Sequence, residues 1–180
     1  MPLSDGQIHN LAVLEKLLDP YYSKNLNSCG YDLTLGSEFK VPALDTENWV
    51  IDPFYPPPYI DQHRDDYIII PPHSFVLGVS VEHLIMPPDI IGICLGRSTY
   101  ARSGVISHVT PLEPGWRGQV TIEISNTNQL PVKVWVGKGI TQVVFFRAEK
   151  MPLLDYERKG GRYQDQVGVT QGKPDKEESV

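Results

Sequence analysis

The chain has 180 residues, 41% hydrophobic and 21% charged, with a formal net charge of -6, which is the size of one domain with a proper core. The acidic balance excludes a broad basic face for nucleic-acid polymers, while a small phosphorylated ligand could still be held by a few local arginines. Cys29 and Cys94 form no ligand-spaced pair and read as free thiols; with neither a signal-peptide pattern nor an apolar run near the roughly 18 residues of a membrane span, a cytoplasmic protein is expected.

Ser4 followed three residues later by Gln7 predicts a capping box. Ile8, Leu11, Leu14 and Leu18 recur at helical spacing, so a short amphipathic helix is expected over about residues 1–20, stopping near Asp19-Pro20. From Tyr31 the pattern changes to short strands. Tyr31 to Leu35 alternates, and Gly36-Ser37 is read as its end. Residues 42–66, with the run Pro53-Phe54-Tyr55-Pro56-Pro57-Pro58, read as a long extended loop. Further strands are expected at 67–70, 74–79, 90–95, 119–124, 132–136 and 140–146, separated by proline- and glycine-containing breakers such as Pro87-Pro88-Asp89 and Gly137-Lys138-Gly139. Strands of this length and spacing define a mainly β chain, a sandwich or barrel of jelly-roll type. Arg97 to Gly104 does not alternate and is expected to hold a helical turn. Trp135 and Phe145-Phe146 read as core. Beyond Lys150 the chain is polar and glycine-rich, and its last ten residues read as disordered. The whole of 1–180 is taken as a single domain with a flexible tail over about residues 156–180, expected to be loose without ligand.

Zinc deaminases carry His-x-Glu and Pro-Cys-x-x-Cys. Neither occurs here, and the histidines His9, His63, His73, His83 and His108 form no paired metal motif. No Ser-x-x-Lys or Gly-x-Ser-x-Gly nucleophile motif is present. Metal-free acid–base chemistry, or simple binding, remains. Gly96-Arg97-Ser98-Thr99-Tyr100-Ala101-Arg102 places two guanidiniums and two aliphatic hydroxyls, of Ser98 and Thr99, directly after a strand. It could wrap phosphates with Arg forks and backbone N–H groups, or be a solvated loop with a surface ion pair. In Thr121-Ile122-Glu123-Ile124-Ser125, Glu123 faces away from Ile122 and Ile124 if those face the core. Alone, it reads equally as a solvated carboxylate.

Read in order, these segments resemble the dCTP deaminase branch of the trimeric dUTPase superfamily. The matching pieces are Gly30-Tyr31-Asp32-Leu33, the segment from Gly96 to Gly104, and the stretch from His108 through Thr110-Pro111-Leu112-Glu113-Pro114-Gly115-Trp116 to Gly118. Thr121 to Asn126, Leu130-Pro131, Gly139 to Phe146 and Gly161-Arg162-Tyr163-Gln164-Asp165-Gln166 complete the series, covering about residues 25 to 172. The resemblance implies a distorted jelly-roll trimer with nucleotide sites between subunits, hydrolysis of the 4-amino group of dCTP, and feedback inhibition by dTTP. It implies that Glu123 accepts and donates protons. Arg97, Ser98, Thr99 and Arg102, with Tyr100 and Ala101 between them, would bind triphosphate, and Ser98 and Arg102 would help hold the catalytic water. Thr121, Ile122 and Glu123 would line the base. Pro111 and Glu113 would lie at the sugar, with Glu113 meeting the 3′-hydroxyl. Gln142, Tyr156 and Gln166 would contact nucleotide from the barrel and the tail. Trp116 would either pack on the sugar or fill a subunit interface; Asp32 would support the phosphate region or shape a turn; His108 is read as satisfying a buried hydrogen bond in preference to taking part in proton transfer. Mg²⁺ would arrive with the triphosphate, without a protein cage, and Arg158, Lys159 and Arg162 of a tail that closes over the nucleotide could help neutralise it.

Three alternatives stay open. A plain dUTPase would generally have an apolar residue at position 123. A bifunctional enzyme forming dUMP would keep Glu123 and also place water at the α-phosphate. Glu113, where both deaminating branches usually have Asp, and the short Thr-Pro-Leu-Glu-Pro turn resemble a subset of the monofunctional enzymes. A non-catalytic nucleotide-binding jelly-roll would bind dCTP without releasing ammonia.

Overall fold

The computed structural model describes residues 1–43 and 51–173. Residues 44–50 of the expected 42–66 loop, and 174–180 of the stretch expected to be disordered, lie outside the described residues. Helix α1 (Asp5–Glu15) begins as expected: the Gln7 side-chain oxygen accepts the Ser4 backbone N–H at 3.0 Å. Its end differs from expectation. Lys16 takes the left-handed conformation (φ 55°) and stops the helix, so the helical phase does not extend to Leu18. Ile8, Leu11 and Ala12 form the buried stripe, while Leu14 is 78% exposed. Leu18 is buried from β1 (Leu18–Asp19), a short strand paired with Leu84 and His83.

The remaining elements are β2 (Leu26–Asn27), β3 (Gly30–Pro42), β4 (Tyr59–His63), β5 (Tyr67–Ile70), β6 (Phe75–Ile85) and β7 (Ile90–Gly96). They continue with α2 (Ser98–Ala101), β8 (Val105–His108), β9 (Arg117–Asn126), β10 (Val132–Trp135) and β11 (Gly139–Arg147). The main antiparallel sheet runs β7-β11-β3-β6-β9-β8, with β1 on β6, and with β2 and β4 on β3; β5 and β10 form a separate pair. The edges approach one another, since Ser107 of β8 donates its hydroxyl to the Ile140 carbonyl of β11 at 3.3 Å. The result is a mainly β, nearly closed jelly-roll barrel, distorted at its corners, with a short N-terminal helix.

Gly36-Ser37 does not end a strand. β3 passes through it, pairing with β11 before it (Tyr31 to Thr34), with β6 on both sides of it (Leu35, then Phe39 and Lys40) and with β4 after it, with a register shift between Leu35 and Phe39. A side chain at Gly36 would stand 3.0 Å from the Val79 carbonyl oxygen, so the glycine permits the close approach at this corner. The expected 42–66 loop also contains β4. Tyr31, Leu33, Leu35, Phe39, Leu84, Ile122 and Phe145 fill the core at 0–1% exposure; full burial of such aliphatic and Phe side chains contributes about 1.5–3 kcal/mol each. Phe146 is half-buried. Trp135 is not core: it is 46% exposed and packs edge-on to Tyr67 (centroids 5.4 Å apart), with the Lys133 ammonium over both rings. β10 alternates, and Val134 takes the inward position. Among the described residues no helix is long and apolar enough to cross a membrane.

Candidate active site

The site is built on β9, whose burial alternates along its whole length. Val120, Ile122, Ile124 and Asn126 point into the core, while Arg117, Gln119, Thr121, Glu123 and Ser125 point the other way. Glu123 stands between Leu77 of β6 and His108 of β8 in the ladders. The tail runs along the outer face of the same strand. The Arg117 carbonyl accepts the Asp165 N–H, Gln119 N–H donates to the Gln166 carbonyl, and the Gln119 side-chain oxygen accepts the Gly168 N–H, each at 2.9 Å. The Thr121 hydroxyl oxygen accepts the Thr170 N–H at 3.1 Å. Thus Arg117, Gln119 and Thr121 are bound by the tail, and Glu123 is the next outward residue.

Glu123 opens into a cavity of about 800 Å³. Its walls are Tyr59, Phe75, Leu77 and Ile91 of the barrel, Val109 to Pro114 and Trp116 of the turn before β9, and Tyr156, Tyr163, Gln166 and Thr170 to Gly172 of the tail. One oxygen of the half-buried Glu123 carboxylate, Oε2, is itself buried and has no hydrogen-bond partner among the described residues. Burial raises the Glu123 pKa from the ordinary carboxylate value, opposed by its own backbone N–H and by His108 across the strand. Burial also pushes the Cys94 thiol up to about 12, with the Glu123 charge adding to the effect, so Cys94 stays protonated and is no nucleophile. Glu113 reaches the tail: its carboxylate pairs with Lys159 at 3.1 Å. Trp116 is 5% exposed within this one chain and donates its indole N–H to the Tyr163 carbonyl at 3.0 Å. Its burial is already reached within one chain.

The tail loop is closely fitted. The Tyr156 hydroxyl accepts the Tyr163 N–H at 2.9 Å, and a side chain at Gly161 would meet the Tyr156 ring at 2.0 Å. Of the tail cations expected at phosphate, Arg158 pairs with Asp155 and the Arg162 guanidinium donates to the Lys173 carbonyl.

Seven of the expected residues therefore share one cavity: Pro111, Glu113, Trp116, Thr121, Glu123, Tyr156 and Gln166. The others lie elsewhere. The Ile122 side chain is in the core at 0% exposure. Arg97 donates its Nε–H to Asp32 at 3.0 Å and an Nη1–H to the Gly139 carbonyl at 2.8 Å, bridging the end of β7 to β3 and β11. Burial raises the Asp32 pKa and outweighs the lowering by Arg97 and by the Asn27 amide. Gln142 is the ladder partner of Asp32 and packs beside Gly30. Ser98, Thr99, Tyr100 and Ala101 form α2, with Arg102 exposed at its end. Ser98, Thr99 and Arg102 do not line the cavity of their own chain. His108 is exposed opposite Glu123 and makes no hydrogen bond to a described residue through its ring, so its expected role in a buried hydrogen bond is corrected. Sequence reasoning missed Tyr59, Phe75, Leu77 and Tyr163. Strand register could have supplied Phe75 and Leu77, which pair with Ser125 and Glu123.

A mainly β jelly-roll barrel with a carboxylate in a tail-roofed cavity is the class these features define. Its fold is similar to that of the solved 2′-deoxycytidine 5′-triphosphate deaminase from Agrobacterium tumefaciens, with a TM-score of 0.66 and 18% identity. That match covers 80% of this chain, which spans about half (47%) of the solved one. The family model described as dCTP deaminase-like matches residues 2–148, and the chain belongs to that family. It is 43% identical over 171 residues to the dCTP deaminase of Herpetosiphon aurantiacus and 46% identical over 172 residues to that of Chlamydia caviae, in each case across 94% of this chain and 87% of the relative. To the Helicobacter pylori (strain P12) dCTP deaminase it is 41% identical over 180 residues, 93% of this chain and 95% of that one.

Proposed function

We propose that the chain is a hydrolase that converts dCTP and water to dUTP and ammonia, with Glu123 moving the protons. The carrying observation is the cavity carboxylate whose buried Oε2 has no partner among the described residues. An acceptor left unsatisfied costs stability, and a turn of the carboxylate into the cavity would bring it to a water or a base amino group. Water beside Glu123 gives it a proton as the oxygen bonds to C4 of the cytosine. The acid so formed passes that proton to N3. Glu123 then takes the proton of the new C4 hydroxyl and delivers it to the amino nitrogen, which leaves as ammonia while C4 becomes a carbonyl. One carboxylate serves all these transfers when its pKa lies near working pH, and burial moves Glu123 in that direction. The route is proposed to be zinc-independent, in keeping with the lack of either zinc-deaminase motif.

Positioning is proposed to need a second copy of the chain. The cavity residues and the Arg97 to Arg102 segment do not meet within one protomer, so a homotrimer in which each cavity receives Ser98, Thr99 and Arg102 from a neighbour completes the site. The triphosphate is proposed to bring Mg²⁺. Asp32 and Glu113 are already engaged by Arg97 and Lys159, so the ion's ligands would be phosphate oxygens and water, and its contribution is charge neutralisation. The tail is proposed to fold more tightly over the bound nucleotide. A cytoplasmic place in deoxypyrimidine supply and inhibition by dTTP complete the reading. Incubation with dCTP and Mg²⁺, followed by separation of dUTP, dUMP, ammonia and diphosphate, is the test. Equal ammonia and dUTP are expected. Diphosphate with dUMP would replace this reading with the bifunctional one, and bound dCTP without ammonia would overturn deamination.

A further inference from the structure

The Pro-rich segment before β4 delivers a residue that the sequence pattern did not single out. Tyr59, the first residue of β4, pairs with Pro42 of β3, and its half-buried side chain lines the same cavity as Glu123. The groups facing Glu123 are few. β6 presents Phe75 and Leu77, which have no proton to give; β7 presents Cys94; β8 presents His108, which is exposed; the cavity walls add Glu113, Tyr156 and Tyr163. Glu113 is held by Lys159, and the Tyr156 hydroxyl oxygen accepts the Tyr163 N–H. The Tyr59 hydroxyl makes no hydrogen bond to a described residue, yet lies close enough to Glu123 for the carboxylate charge to act on it. A hydroxyl with no hydrogen bond to a described residue and the Glu123 carboxylate thus line one cavity.

We infer that Tyr59 is a positioning residue for Glu123: its hydroxyl, directly or through one water, donates to the Glu123 carboxylate and orients it toward the bound ring. A bridging water supplies nearly the enthalpy of a direct hydrogen bond, and a donor to the ionised form favours that form. The inference rests on Glu123 being the proton-transfer group, but its test does not require turnover. Tyr59→Phe removes one oxygen and keeps the ring in the wall. The Glu123 carboxyl carbon is followed by ¹³C NMR against pH, with its signal assigned by its loss in Glu123→Gln. Loss of the donor should raise the Glu123 titration midpoint by up to about one pH unit. With dCTP, kcat should fall about 3- to 30-fold while KM changes less than about threefold, the pattern of an interaction that matters most in the transition state. An unmoved or lowered midpoint in a folded variant overturns the role of Tyr59 and leaves the deaminase reading standing. A raised midpoint in a chain that releases no ammonia from dCTP upholds the contact and rejects the deaminase reading.

Discussion

Replacing Glu123 with Gln exchanges one carboxylate oxygen for an amide nitrogen without changing the shape of the side chain. Leu77 and His108, its neighbours in the ladders, should stay in place. The amide can neither take nor return a proton. General acid–base catalysis is worth about 10²–10⁴-fold, and because a single carboxylate is proposed to carry every transfer, kcat should fall about 10³–10⁴-fold while KM stays within about threefold. Stability should move the opposite way. Burial of the charged Glu123 carboxylate carries a desolvation cost that a neutral amide escapes. A gain of about 1 kcal/mol is expected near pH 7.5, or roughly 2–4 °C in Tm for a chain of this size. The sign in pH follows from the raised pKa of Glu123. The wild type has its full contribution below the ordinary carboxylate pKa and loses it as pH rises through the folded value. The advantage of the Gln variant should therefore shrink on acidification and vanish where both side chains are neutral. Ammonia release gives kcat, and calorimetry at pH 7.5 and pH 4 gives the two stabilities. A kcat within tenfold of wild type would remove Glu123 from the chemistry, and a lower Tm at pH 7.5 would refute the reasoning about its buried charge.

Gly161→Ala puts a carbon where the Tyr156 ring stands, 2.0 Å away; the tail loop should be displaced, with kcat/KM for dCTP falling at least about tenfold while the circular dichroism of the barrel is unchanged. Glu82 is fully buried and accepts from the Thr34 N–H at 2.8 Å, the Thr34 hydroxyl at 2.7 Å and the Tyr31 hydroxyl at 3.4 Å. Glu82→Ala should cost about 3 kcal/mol by urea unfolding, since three donors lose their acceptor. Burial raises the Glu82 pKa, so its stabilising contribution is greatest below the ordinary carboxylate pKa and declines as pH rises; the cost of the substitution should be larger at pH 4 than at pH 7. Arg97→Ala strips the ion pair from the largely buried Asp32 and should cost about 1–2 kcal/mol, discounted because the guanidinium is over a third exposed. Arg102→Ala, at an exposed position with no ion pair to a described residue, should leave Tm within about 1 °C and raise KM for dCTP at least about tenfold.

Local pattern and long-range pairing divided the information in this chain. Alternation in Thr121 to Ser125 showed that Glu123 opposes Ile122 and Ile124, because side chains on a strand change face at every residue whatever its partners are. The capping pair Ser4 and Gln7, the barrel class, the helical turn after Arg97 and the family resemblance were legible for the same reason: each rests on neighbours in sequence. Where β3 changes partners, the corner at Gly36 read as a strand end, since a glycine that allows close approach to Val79 looks the same in sequence as one that closes a turn. The ordered path of the tail along Arg117, Gln119 and Thr121, the engagement of Arg97 by Asp32 and of Glu113 by Lys159, and the entry of Tyr59 into the cavity were decided only in three dimensions. These contacts join residues far apart in the chain, and which of several available partners a charged or aromatic side chain takes depends on packing that no single segment encodes.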